Sequence, residues 1–287
     1  MFIMSDETEI QTDPVTARLE AAAAVARSAG QTALAMFNDR DALRIDHKGV
    51  QDRVTNADRQ AENAIREHLG KLFPDDGFIG EEFGAASPSE AADSGTWVID
   101  PIDGTDCFIF EMPSWCVSIA WIDKGETVIG VIYDPVHDEL FSAVRGRGAT
   151  LNGAPIRASD ATDSRLGLIG IGHSLRVDPI LTLAALGRLM DMGGMFHRCG
   201  SGALSLAWVA AGRLIGYYEP HMNAWDCLAG LLLVREAGGW SNDFLQGGAL
   251  KAGNLAAAAA PGMVNQIKFI SGLSSNFDAG DRPAETP

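Results

Sequence analysis

The sequence predicts a layered protein of mixed α+β and α/β type, and three observations predict it. Apolar residues recur at helical spacing up to residue 72, the period drops toward two between residues 78 and 144, and strand-like and helical segments alternate after residue 166. Alternation of the last kind stacks helices against sheets.

The elements follow in order. Asp13-Pro14 opens a first helix, a capping side chain followed by proline at the first helical position. Leu19, Ala22, Ala26, Ala29, Ala33 and Phe37 make its apolar stripe, and the alanines predict close packing against another helix. Gly49 to Arg53 reads as a polar loop. A second helix begins near Thr55, where Thr55 and Asp58 have capping-box spacing. Its face is Ala57, Ala61, Ala64, Ile65, Leu69 and Leu72, and Pro74 to Gly77 stops it.

Phe78-Ile79 is a short strand running into Gly80-Glu81-Glu82, and Thr96 to Ile102 is the next strand. Pro113 to Ile122, Glu126 to Asp134 and Glu139 to Val144 form a meander with turns at Lys124-Gly125 and Pro135 to Asp138. Asn152-Gly153 signals a tight turn. Leu166 to Ile171 then reads as strand, Pro179 to Met190 as helix, His197 to Cys199 as extended, Ser201 to Ala211 as helix and Leu214 to Glu219 as strand. Trp225 to Ala237 is a helix ended by Gly238-Gly239. Residues 1–12 read as a mobile lead, and the polar stretch from Ser274 reads as disordered.

The formal net charge is -16. So acidic a surface repels nucleic acid and anionic membranes, and it equally repels a phosphate substrate unless a divalent cation intervenes. No apolar run reaches the about 20 residues a membrane span needs. The polar, acidic start lacks the form of a secretory signal, so a cytoplasmic location is expected. Cys107, Cys116, Cys199 and Cys227 make no CxxC pair and read as reduced thiols. Cys116 and Cys227 read as small apolar fillers.

The informative residues are carboxylates at strand ends. Asp100 ends the strand Trp97-Val98-Ile99, Pro101 stiffens the exit, Asp103 follows, and Gly104 lets the chain turn. Thr105 begins a helix, whose free N–H groups favour an anion. One short segment thus offers two hard oxygen ligands and a phosphate cradle, which suits Mg2+. Glu81-Glu82 adds two carboxylates with no basic neighbour in sequence. Asp226, taken alone, reads equally well as a charge favouring a helix N-terminus.

Together these motifs closely resemble the inositol monophosphatase family: GEE at Gly80 to Glu82, DPIDGT at Asp100 to Thr105, and WDxxAG at Trp225 to Gly230. Val54 to Asp58, Gly148 to Gly153 and Cys199 to Ala203 extend the resemblance over residues 14 to 270. It implies an α-β-α-β-α sandwich. It divides the chain into an α+β unit at 14–158 with most metal ligands and an α/β unit at 159–270 with Asp226 and the substrate contacts. Residues 271–287 form a tail.

The resemblance further implies two to three Mg2+ ions. Glu81, Asp100 and the carbonyl of Ile102 would hold one, Asp100, Asp103 and Asp226 a second, and a third would sit near Glu81. Thr105 would orient the attacking water, with Asp58 accepting from Thr105. Backbone N–H groups of Gly104 and Thr105 would hold the phosphate. Ser201, Gly202 and Glu219 match contacts to a polyol, and Glu82 and Lys48 match supporting positions. Asp106-Cys107 departs from what commonly follows DGT, so Asp106 would weaken very anionic substrates or recruit metal.

The implied activity is hydrolysis of a small phosphate monoester, inositol 1-phosphate first, with lithium sensitivity and a homodimer as family traits. Phe108-Ile109 and Pro113 to Trp115 resemble the histidinol-phosphatase branch; Ile129 to Pro135 and the Trp225 helix resemble the inositol branch. Fructose 1,6-bisphosphate and 3'-phosphoadenosine 5'-phosphate rank lower, because Arg176, Arg198 and Lys48 are the main basic candidates. Some bacterial members also act as RNA-polymerase-associated regulators, which leaves a binding role as the alternative of another class.

Overall fold

The computed structural model describes residues 13–39, 41, 43–49, 52–86 and 95–274. The expected mobile lead and the tail beyond residue 274 lie outside the described residues, as does the Lys48 side chain.

Among the described residues, two large sheets and six principal helices stack in five layers, with a separate two-stranded hairpin beside them. Helix α1 (Pro14–Asn38) and α2 (Asn56–Leu72) cover one face of an eight-stranded sheet. That sheet comprises β3 (Gly77–Gly80), β4 (Gly84–Ala86), β5 (Thr96–Asp103), β6 (Cys116–Asp123), β7 (Glu126–Asp134), β8 (Glu139–Val144), β9 (Ala149–Leu151) and β10 (Ala154–Pro155), numbered after a leading hairpin β1 (Ile45–Gly49) and β2 (Asp52–Thr55). The spatial order is β10-β9-β8-β7-β6-β5-β3-β4, antiparallel except where β3 runs parallel to β5. A short helix, α3 (Thr105–Ile109), leaves the end of β5.

A five-stranded sheet, in the order β12-β11-β13-β15-β14, is built later in the chain from β11 (Leu168–Ile171), β12 (Met195–His197), β13 (Gly216–Met222), β14 (Trp240–Ser241) and β15 (Asn254–Ala259). Helices α5 (Gly202–Ala210) and α6 (Ala224–Glu236) lie between the sheets. Helices α4 (Ile180–Asp191) and α8 (Val264–Ile270) close the outside, and α7 (Ala249–Ala252) is a single turn.

The strand period explains the layering. Ile99 packs with Trp97, Val117 and Val131 toward Ala29, Ile65 and Leu69 of the first helices. Its neighbour Val98 packs with Ala120 and Ile132 toward Leu206, Leu228 and Leu232. Likewise Tyr217 faces the central helices, while Tyr218 faces Leu189 and Ile267 on the outside. Strands buried on both faces read as continuous apolar runs. The central cluster joins residues of both halves of the chain in one core.

The structure corrects the sequence reading in places. The expected loop at Gly49 to Arg53 belongs to the β1–β2 hairpin, with Ile45 opposite Thr55. Its polar strands carry no apolar alternation, so they read as loop. The extended run at His197 to Cys199 ends at His197. Strand β15 was invisible, because its run of alanines favours helix locally. Ala256 to Ala259 are wholly buried between helical layers, where only small side chains fit. Asn152-Gly153 does close a two-residue hairpin, with φ of +49° and +80°. Among the described residues, no helix is long and apolar enough to cross a membrane.

Candidate active site

The site forms where β3, β5 and the N-termini of α3, α5 and α6 converge. Each acidic side chain is placed by a local device. Asp100 Oδ1 accepts from the N–H of Ile102 at 3.0 Å, which curls the DPID segment around its own carboxylate. Gly104 then turns the chain with φ of +97°, and a Cβ there would lie 2.9 Å from the Ser114 carbonyl. Only glycine satisfies both conditions. Asp226 is the third residue of α6, and its Oδ2 accepts from the N–H of Asn223 at 2.9 Å. The helix-terminus reading and the site reading of Asp226 are therefore both realised.

Glu81 donates its N–H to the Ile99 carbonyl at 3.2 Å, and the turn that follows it is held by a residue the sequence reading missed. Glu62, fully buried on α2, accepts from the N–H of Glu82 at 2.8 Å and pairs with Arg66 at 2.7 Å. Gly80 admits it, since a Cβ there would come within 2.0 Å of Glu62 Oε1. The only signal in the sequence was a Glu–Arg pair four residues apart on a helix, which elsewhere marks a solvated face.

Glu81, Asp100 and Asp226 bring one carboxylate oxygen each within 4.8 Å of one another. Asp103 stands beside them, with its Oδ2 turned away to accept from Ser201 Oγ at 2.5 Å and from the N–H of Ala203 at 2.6 Å. Asp100 is almost wholly buried. Burial, then the charges of Glu81, Asp103, Asp226 and Asp58, push its carboxyl well above the usual range. Burial likewise raises Asp103 to about 6 and Asp226 to about 8. Buried carboxylates whose dominant charged neighbours are other carboxylates cannot all ionise without a cation. The donors are hard oxygens, so the residues fit a divalent metal such as Mg2+.

Thr55, capping α2, donates its N–H at 2.8 Å and its hydroxyl at 2.5 Å to Asp58 Oδ2. Asp58 Oδ1 faces Thr105, whose hydroxyl lies 3.5 Å from it and 3.2 Å from the Ile102 carbonyl oxygen. Burial raises Asp58 to about 6 against the opposing Thr55 hydrogen bonds. The capping box thus holds one oxygen of Asp58 and leaves the other for Thr105.

These groups line a cavity of about 520 Å³. Glu81, Asp100, Ile102, Asp103, Gly104, Thr105, Asp106, Glu219 and Asp226 all border it. Arg176 and Arg198 border it as well, and Arg53 adds a third arginine that the sequence reading passed over as loop. Arg53 pairs with Asp106 at 2.5 Å, which offsets the extra carboxylate. Ser201 and Gly202 instead border a side cavity of about 90 Å³ behind Glu219. Ser201 is fully buried and donates its hydroxyl to Asp103. Glu82 lies outside the lining; Cys107, also outside it, is buried and donates toward the Cys199 carbonyl at 3.5 Å.

The inositol monophosphatase family profile matches residues 15–271. The Nus factor SuhB of Haemophilus influenzae is 39% identical over 265 residues, 90% of this chain and 98% of that protein. Its Escherichia coli K12 counterpart is 42% identical, covering 80% and 86%. Among solved structures, the extragenic suppressor protein suhB of Bartonella henselae matches with a TM-score of 0.82 and 33% identity, covering 89% of this chain and 98% of that one. The inositol monophosphatase of Anabaena matches with a TM-score of 0.76 and 31% identity, covering 90% and 96%. Fold, acidic cluster and sequence agree: the chain belongs to the inositol monophosphatase family.

Proposed function

We propose that the chain is a Mg2+-dependent phosphomonoesterase of small polyol phosphates, with inositol 1-phosphate as the first candidate. The observation that carries this reading is the Glu81–Asp100–Asp226 cluster, three carboxylates gathered around buried Asp100 at the edge of the cavity. In this reading Glu81, Asp100 and the Ile102 carbonyl would hold one Mg2+, Asp100, Asp103 and Asp226 would hold a second, and Glu81 would help to hold a third. Bound Mg2+ supplies the charge that neutralises the cluster and acidifies water.

The chain's own residues do the rest. Thr105 donates its hydroxyl proton to Asp58, so that its oxygen is free to accept from the attacking water and aim it. The N–H groups of Gly104 and Thr105, at the start of α3, hold phosphate oxygens. Glu219 accepts from a hydroxyl of the leaving group. Arg53, Arg176 and Arg198 draw an anion to a cavity that the net charge of -16 would otherwise repel.

A phosphate-release screen over polyol, sugar, amino-alcohol and nucleotide monophosphates, with and without Mg2+ and Li+, tests the reading. Release that needs Mg2+, ranks inositol 1-phosphate first and falls with Li+ is expected. No Mg2+-dependent release from any compound would end it.

A second reading is supported by the relatives named Nus factor: association with a transcription complex through protein contacts in the cytoplasm. Exposed Ile180, Leu181, Leu183, Met190, Met195 and Phe196 offer apolar surface for a homodimer or such a partner. Co-purification with RNA polymerase subunits tests it, and it fails if the bait captures none.

A further inference from the structure

Glu219 is held by more than its own strand. Tyr217 lies two residues earlier on β13 and so on the same face. Its hydroxyl donates to Glu219 Oε2 at 2.5 Å, and the residue is only 2% exposed. Gly172, just past β11, leaves the slot for this pair. A Cβ there would come within 2.1 Å of Glu219 Oε2 and 2.8 Å of the Tyr217 hydroxyl. Gly202 closes the other side, its Cβ position lying 3.1 Å from the same hydroxyl. Oε1 has no hydrogen-bond partner among the described residues, and Glu219 borders the main cavity.

We infer that Tyr217 is a positioning residue. By fixing one oxygen of Glu219 in a slot shaped by Gly172, it presents the other to a hydroxyl of the leaving group. It thereby sets a preference for hydroxylated phosphate esters. The inference rests on the phosphomonoesterase reading. It concerns which ester is preferred, whereas the acidic cluster concerns whether any ester is cleaved.

The test compares wild type, Tyr217→Phe, Glu219→Gln and the double variant on two substrates with Mg2+ present. Inositol 1-phosphate has leaving-group hydroxyls; p-nitrophenyl phosphate has none. Tyr217→Phe should raise KM for inositol 1-phosphate about tenfold and leave p-nitrophenyl phosphate within about twofold. In the Glu219→Gln background it should add nothing further, because the two act as one unit. Gly172→Ala, whose Cβ would crowd both Glu219 Oε2 and the Tyr217 hydroxyl, should give the same split. Equal losses on both substrates, or no loss on either, would overturn the inference while leaving the phosphatase reading intact. If wild type cleaves neither substrate with Mg2+, the phosphatase reading falls and takes this inference with it.

Discussion

Ser201 donates its hydroxyl to Asp103 Oδ2 at 2.5 Å across 98 residues of sequence. The same oxygen accepts from the N–H of Ala203, so the start of α5 grips the carboxylate that ends β5. This contact ties the half of the chain that carries DPIDGT to the half that carries Asp226. It also fixes which Asp103 oxygen is left to face the cavity.

If Asp103 holds a Mg2+ as proposed, removing that hydroxyl should loosen the ligand without removing it. Ser201→Ala is expected to weaken Mg2+ activation about 10- to 100-fold, the range seen when a ligand loses its supporting hydrogen bond. Ser201 also caps α5 by accepting from the N–H of Leu204 at 3.1 Å, so about 1 kcal/mol of stability should go with it. Activity titrated against Mg2+, beside thermal unfolding, separates the two effects. A normal Mg2+ midpoint would count against the support role.

Asp58→Asn should reduce kcat about 10²- to 10⁴-fold, the usual contribution of a positioned proton acceptor. The substituted side chain keeps one oxygen, enough for a Thr55 hydrogen bond but not for Thr55 and Thr105 together. If the activity loss tracks only a fall in melting temperature, Asp58 is a cap and nothing more.

How much of this was legible in the sequence follows from where each signal resides. Glu81, Asp100, Asp103 and Thr105 sit at strand ends or a helix start, where the sequence itself marks them as candidates, whereas Asp226 read equally well as a helix-terminus charge and joined them only through the family resemblance. Asp58 was legible through its capping-box spacing with Thr55. Glu62, Tyr217 and Arg53 were not: each acts through a contact across the fold, and nothing in its own neighbourhood marks it. The alanine strand β15 failed for a related reason. Its conformation is set by the layers on either side of it, which override local helix preference.

Stability should depend on pH in a metal-sensitive way. The folded-state values of Asp103 (about 6) and Asp226 (about 8) lie above the ordinary 3.8, and Asp100 is raised as well. A raised carboxyl holds its proton more tightly in the folded chain. Its contribution is therefore present below about pH 4 and is lost as pH rises through 6 to 8. Mg2+ binds the ionised form, so the stabilisation it confers should grow over the same window. The melting temperature in EDTA should fall between about pH 5.5 and 8.5, while the gain from Mg2+ should be larger by about 5 °C at the upper pH. Asp226→Asn should shrink that difference. An equal gain at both pH values would show that the cluster is not what binds the ion.

The Arg53–Asp106 pair makes the final prediction. Asp106 is half exposed, so its ion pair adds little to stability, about 0–1 kcal/mol at most. Its effect should instead be on the cavity's charge, because it pairs with an arginine that borders the cavity. Asp106→Asn releases that arginine and removes one negative charge beside Thr105. KM should fall about threefold for a bisphosphate such as fructose 1,6-bisphosphate and change less for inositol 1-phosphate, with the gain diminishing at high salt as screening sets in. Arg53→Ala should act in the opposite direction on both substrates. If Asp106→Asn leaves substrate ranking and Mg2+ dependence unchanged, Arg53 is held away from the substrate by its other contacts. The third arginine would then play no part in choosing among phosphates.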